Sequence, residues 1–112
     1  MAKNPEHRDL FPGALEVMIL QSLRLRPMHG YALVKHIKQV SDNLLQVEEG
    51  SLYPALHRME QDGWIASEWE VTDKGRRAKF YLITPRGKKQ LAEEQEKWNR
   101  LTRGVTRVLR AT

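Results

Sequence analysis

Two sets of side chains in this 112-residue chain bring hydrogen-bond donors and positive charge together at spacings that suit a polyanion. The first lies in the run Gln46–Glu60. Leu52, Leu56 and Met59, with Ala55 beside them, recur at helical intervals, which leaves Ser51, Tyr53, His57 and Arg58 off the apolar stripe. Hydroxyls, an imidazole and a guanidinium on the wet side of a short helix can all donate to phosphate oxygens. The second set is Lys74, Arg76, Arg77 and Lys79, gathered about Gly75 between two alternating runs. Exposed arginine at a hairpin tip can enter a narrow A·T minor groove, where negative potential is concentrated. The plainer reading is a tip kept soluble by its charge.

Other chemistries find little footing. His7, His29, His36 and His57 are scattered, and His29 and His36 lie two helical turns apart, too far to share one ion. The chain has no cysteine, which excludes thiolate zinc sites, disulfide stapling and thiol redox sensing. No glycine-rich phosphate loop and no Ser/His/Asp set is present. Glu48, Glu49, Glu60 and Asp62 read as solvated acids or as partners for Arg58. No metal, no cofactor and no enzyme activity is expected.

Composition agrees. A net charge of +5 favours a polyanionic partner, nucleic acid or an anionic surface. A hydrophobic fraction of 40% supports one small domain with a thin core, for which oligomerisation helps. The apolar stretch Ala14–Leu20 is interrupted by Glu16 and is far too short to cross a bilayer. Residues 1–10 lack the apolar region of a secretory signal. No membrane partner and a cytoplasmic location are the expectations.

These side chains need a scaffold, and each element has its own local signal. Residues 1–12 read as an N-terminal arm whose apolar pair is Leu10-Phe11. A first helix spans Gly13–Leu25, with Leu15, Met18, Ile19 and Leu23 on one face, and Pro27 ends it. His29-Gly30-Tyr31 opens a second helix striped by Leu33, Val34, Ile37 and Val40. The connection Ser41–Gly50 holds Leu44, Leu45 and Val47, and reads as a turn of helix or a strand-like segment. Ser51 is the expected N-cap of the third helix, with Pro54 in its first turn and Gly63 closing it.

Trp64–Val71 and Arg77–Ile83 alternate as strands, the second with Ala78, Phe80 and Leu82 on one side, and Thr72–Arg76 supplies the turn. Thr84 and Pro85 start a last helix as N-cap and first residue, running to about Arg110. Its apolar residues Leu91, Trp98, Leu101, Val105 and Val108 are spaced seven, three, four and three, a heptad seam with Glu94 in one slot. Such a helix is on the order of 40 Å long, more than this domain can cover, so part of the seam needs another chain. The expected fold is mostly α with a small β-hairpin: a winged helix-turn-helix over 13–84 and a long C-terminal dimerisation helix over 85–112.

The chain also resembles the PadR family of bacterial transcriptional regulators in its short form. The likeness is carried in order by Gly13–Leu20, Pro27–Tyr31, Gly50–Leu56, Gly63–Ile65, Arg76–Leu82 and Thr84–Gly87. It implies a homodimer held by its C-terminal helices that binds double-stranded operator DNA and represses transcription, often until a small-molecule effector releases it. On this resemblance Ser51–Gly63 is the recognition helix. Tyr31, Ser51, Tyr53 and Pro54 then face the DNA backbone, His57 faces a base edge or phosphate, and Arg58 faces DNA or a nearby acid. Trp98 either packs the dimer interface or, with Leu15 and Met18 as an opposing wall, lines a site for a small aromatic effector. The alternative is a winged-helix adaptor whose last helix binds another protein.

Overall fold

The structure, a computed structural model, describes residues 13–112. The arm, with Leu10-Phe11 and His7, lies outside the described residues. The elements are α1 (Ala14–Leu25), β1 (Met28–His29), α2 (Gly30–Val40), α3 (Glu49–Gln61), β2 (Ile65–Val71), β3 (Arg77–Ile83) and α4 (Pro85–Arg110). Among the described residues, no helix is long and apolar enough to cross a membrane.

One core joins them. Ile19, Leu20 and Leu23 of α1 meet Leu33 and Ile37 of α2, and the α3 stripe Leu52, Ala55, Leu56 and Met59 packs on both. Ile65 and Tyr81 close it from the sheet, and Leu91 from α4. The α3 stripe is the one the helical spacing marks, so its donor face is turned outward as expected.

Four features differ from the sequence expectation. A third strand exists: Met28 and His29 pair antiparallel with Tyr81 and Phe80, and the sheet order is β1-β3-β2. Pro27 disfavours helix at its predecessor, and Arg26 is extended (φ −172°, ψ 160°), which delivers Met28 ready to pair. The third helix starts at Glu49, two residues before the proposed Ser51 cap. Buried Val47 pins the incoming chain, Glu48 is the extended N-cap, and the amides of Ser51 and Leu52 both donate to the Glu48 carbonyl at 3.0 Å. Ser51 therefore lies within the first turn. Pro54 falls inside the helix, where it removes an amide that would have bonded to Gly50; Gly50 is exposed and its carbonyl can be solvated.

The connection after α2 is neither a helical turn nor a strand. It is a left-handed turn at Asp42 and Asn43 (φ 57° and 65°), both residue types that tolerate this region. The fourth difference concerns Leu91 and Leu15. Leu91 is only 3% exposed and packs within its own chain, so it does not belong to an intermolecular seam. Leu15 is likewise buried in the core, so it is no wall of an open cavity, and Met18 is half-buried against the same cluster.

The start of α4 is welded to the start of the hairpin. Thr84 caps the helix, its hydroxyl accepting from the Gly87 amide at 3.0 Å and donating to the Gly63 carbonyl at 2.7 Å. Its own amide donates to the Trp64 carbonyl at 3.0 Å. Gly87 rests directly on that carbonyl, and a Cβ there would overlap the oxygen. Gly87→Ala should therefore destabilise the fold by about 1–3 kcal/mol, since backbone cannot swing aside as a side chain can. Denaturant unfolding checks this, with Gly50→Ala, which meets nothing within 4 Å, holding or raising stability.

Candidate nucleic-acid interface

The outward face of α3 meets the start of α2 and the hairpin around one cleft. Its lining is His29, Gly30, Tyr31, Tyr53, Trp69, Ala78, Lys79 and Tyr81, with a volume of about 420 Å³. Tyr53, 45% exposed, reaches across from α3 so that its ring lies against Gly30, where an added Cβ would come within 2.5 Å of the hydroxyl. Gly30 is the residue that lets the third helix approach the second this closely. Beside it, His29 caps α2: Nδ1 accepts the Ala32 amide at 3.1 Å. The His29 ring stands edge-on to Phe80, centroids 5.2 Å apart. Tyr31, at 59% exposure, completes the rim, with the Lys35 ammonium 5.5 Å above its ring.

The hairpin contributes a graded face. Cross-strand partners share a side of the sheet, and the pairs Ile65–Ile83, Ser67–Tyr81, Trp69–Lys79 and Val71–Arg77 run from core to tip. Near the core this face is apolar; further out it is aromatic and basic. The other face of β2 carries Glu68 and Glu70. Glu60 of α3 ties the helix to both strands, accepting from the Ser67 hydroxyl at 2.6 Å and lying 3.5 Å from the Lys79 ammonium. Burial pushes the Tyr81 phenol above its ordinary range, and the nearby Glu60 and Tyr53 add to this. Tyr81 therefore stays a neutral hydroxyl at physiological pH and adds no negative charge to the cleft.

The expected site residues divide accordingly. Tyr31, Tyr53 and Lys79 converge on the cleft. Ser51 and Pro54 lie in the α3 N-terminal half, and His57 is exposed further along it. Lys74 and Arg76 occupy the tip, closed by bonds from the Thr72 amide to the Arg76 carbonyl (2.7 Å) and from the Gly75 amide to the Thr72 carbonyl (2.9 Å). Arg77 places its guanidinium 5.3 Å over the Trp69 ring. Arg58 takes the acid-paired alternative, its partner being Glu16 of α1 at 3.4 Å, which draws it toward the α1–α3 junction. Sequence reasoning missed Trp69, Tyr81, His29 and Glu60. The hairpin register would have exposed the first two, because both share the side of Lys79.

The pattern for the transcriptional regulator PadR-like family matches residues 19–93. The chain belongs to this family. It is 35% identical over 98 residues to the transcriptional regulator Rv3488 of Mycobacterium tuberculosis, covering 88% of each chain. Among solved structures, a transcriptional regulator from Clostridium thermocellum superposes with a TM-score of 0.77 at 32% identity, covering 88% of this chain and 95% of that one. A PadR-like transcriptional regulator from Bacillus cereus gives 0.76 at 30%, covering 89% and 95%. PadR-like proteins are transcriptional regulators rather than enzymes, and the fold is the winged helix-turn-helix of that family, with β2 and β3 as the wing. Among the described residues, no group of three or more His, Cys, Asp or Glu could hold a metal ion.

On α4, Leu101, Val105, Val108 and Leu109 are exposed. With Lys97, Arg100 and Gly104 they line an open groove of about 620 Å³ along the helix. Trp98 is half-buried beside Gly13, Val17, Glu94 and Leu101 of its own chain. Leu15 and Met18 do not line this hollow, so the three residues of the expected effector site are not assembled within one chain. Glu60→Ala should free the wing from α3. Amide exchange in Ser67–Arg77 should accelerate, whereas Arg58→Ala should leave that exchange unchanged. The stability loss should be about 1 kcal/mol, because the pair is partly solvated.

Proposed function

We propose that this PadR-like regulator is a homodimeric repressor that reads operator DNA through α3 and the wing. The observation that carries the reading is the convergence of Tyr31, Tyr53 and Lys79 on one cleft, with Ser51, Pro54 and His57 on the same helix as Tyr53 and Lys74, Arg76 and Arg77 on the wing. Tyrosine hydroxyls and lysine grip phosphates and set register; they carry no base information. His57 and the wing arginines are the groups placed to read base edges and groove width.

The second copy is assigned to α4. Leu101, Val105 and Val108, with Trp98 at the edge, form an apolar face that a single chain leaves open. Two copies joined there hold two heads at a fixed separation, which matches half-sites about one helical turn apart. A small aromatic effector taken between the Trp98 rings of the two copies would shift that separation and release DNA. The competing reading is an adaptor that gives the same face to a different protein, and the mass in solution separates the two.

The test is a gel shift with DNA from upstream of the gene, repeated across salt. Affinity should fall on the order of a thousandfold between about 50 and 200 mM salt, as expected for several phosphate contacts; a flat response overturns the reading. Tyr53→Phe and Tyr31→Phe should each weaken binding roughly 3- to 10-fold, the range for one lost hydrogen bond. The double variant Leu101→Asp with Val105→Asp should sediment as a monomer and lose operator affinity. DNA binding that survives in a true monomer ends the link between α4 and the operator.

A further inference from the structure

The wing is two-faced, and the two cations on its inner side are held in different ways. Its outer side presents Glu68 and Glu70, which repel phosphate. Its inner side presents Arg77 and Lys79, opposite Val71 and Trp69. Lys79 is engaged: its ammonium lies 3.5 Å from Glu60 and 5.7 Å from the Tyr81 ring centre. Arg77 has no carboxylate partner among the described residues. It lies instead on the face of Trp69, 5.3 Å from the centroid, reached along the diagonal between neighbouring cross-strand pairs.

Trp69 itself is 61% exposed. A large aromatic this open adds little to the core. It forms part of the cleft wall with Tyr53 and Tyr81, and its face is covered by the guanidinium of Arg77. Arginine stacks flat on an aromatic face while keeping its donors in the ring plane, directed outward. An unrestrained arginine on a strand samples many rotamers, and contact with an aromatic face narrows that choice.

We infer that Trp69 is a positioning residue for DNA recognition: it holds Arg77 extended along the inner face of the wing for insertion into a narrow, A·T-rich minor groove. This rests on the operator-binding reading above. It adds a residue that makes no contact with DNA, and it singles out Arg77 among the four wing cations as the one that senses groove width. Lys74 and Arg76 at the tip then contribute charge without that selectivity.

The experiment measures operator affinity, its salt slope, and the preference for A·T-rich over G·C-rich flanking sequence in the full-length chain and its variants. Arg77→Ala should weaken binding, lower the salt slope by about one and flatten the flank preference. Trp69→Ala should reproduce most of that loss, about 3- to 10-fold, with an unchanged melting temperature. Trp69→Phe should keep the flank preference, because a ring remains. The double variant Trp69→Ala with Arg77→Ala should bind no worse than Arg77→Ala alone, the mark of two residues acting through one contact.

A double variant that is additive shows Trp69 touching DNA for itself and overturns the inference. So does a Trp69→Ala variant with full affinity and preference beside a wild-type chain that binds. If Trp69→Ala loses structure, Trp69→Phe and Trp69→Leu decide the matter: both keep a large apolar side chain and should fold, and only the aromatic one should retain the flank preference. A wild-type chain that binds no DNA overturns the operator reading itself, and this one with it.

Discussion

No atom can stand between Gly87 and the carbonyl of Trp64. That closeness sets the angle at which α4 leaves the domain. The carbonyl accepts the Thr84 amide, the Thr84 hydroxyl bonds back to Gly63, and the same hydroxyl caps α4. Three short bonds thus join the end of α3, the root of the wing and the base of the longest helix. A rigid joint here matters more than at any other corner. At roughly 1.5 Å per residue the 26 residues of α4 make a lever of about 39 Å, and a few degrees at its base become several ångströms at its tip.

Around that joint, polar contacts serve geometry more than stability. Glu60 links α3 to the wing, Arg58 and Glu16 link it to α1, and each pair is partly solvated. Such pairs add little net free energy. They fix how the donor surface is presented, while the apolar stripe of α3 supplies the holding energy. The cleft rim follows the same division: Gly30 gives way so that Tyr53 can lie close, and His29 caps the helix on which Tyr31 stands.

Elements with self-contained signals were legible in the sequence. Thr84-Pro85 announces α4, and alternation around Gly75 announces the hairpin. β1 was not legible, since two residues have no period and their partners Phe80 and Tyr81 are distant in sequence. The start of α3 was misplaced because Ser51 is the better side-chain cap, yet buried Val47 decides where the chain enters. Heptad spacing put Leu91 in the seam, but spacing does not say which neighbour covers a stripe, and the first turns of α4 are covered by the chain's own core. The outward, donor-bearing residues of α3 and the wing were recognisable as a set; that Arg58 turns to Glu16, 42 positions away, and Arg77 to Trp69 was not.

Pro54 has a consequence for how such a regulator changes. It interrupts the amide ladder of α3 and disfavours helical backbone at Tyr53, so α3 is a helix only because Leu52, Leu56 and Met59 are gripped from behind. An excised peptide of this segment would be mostly unstructured. The outward-facing His57 bears almost none of that grip. On the operator-reading proposal, its exchange would alter what is read without weakening the reader, so a new target could be acquired at a single position.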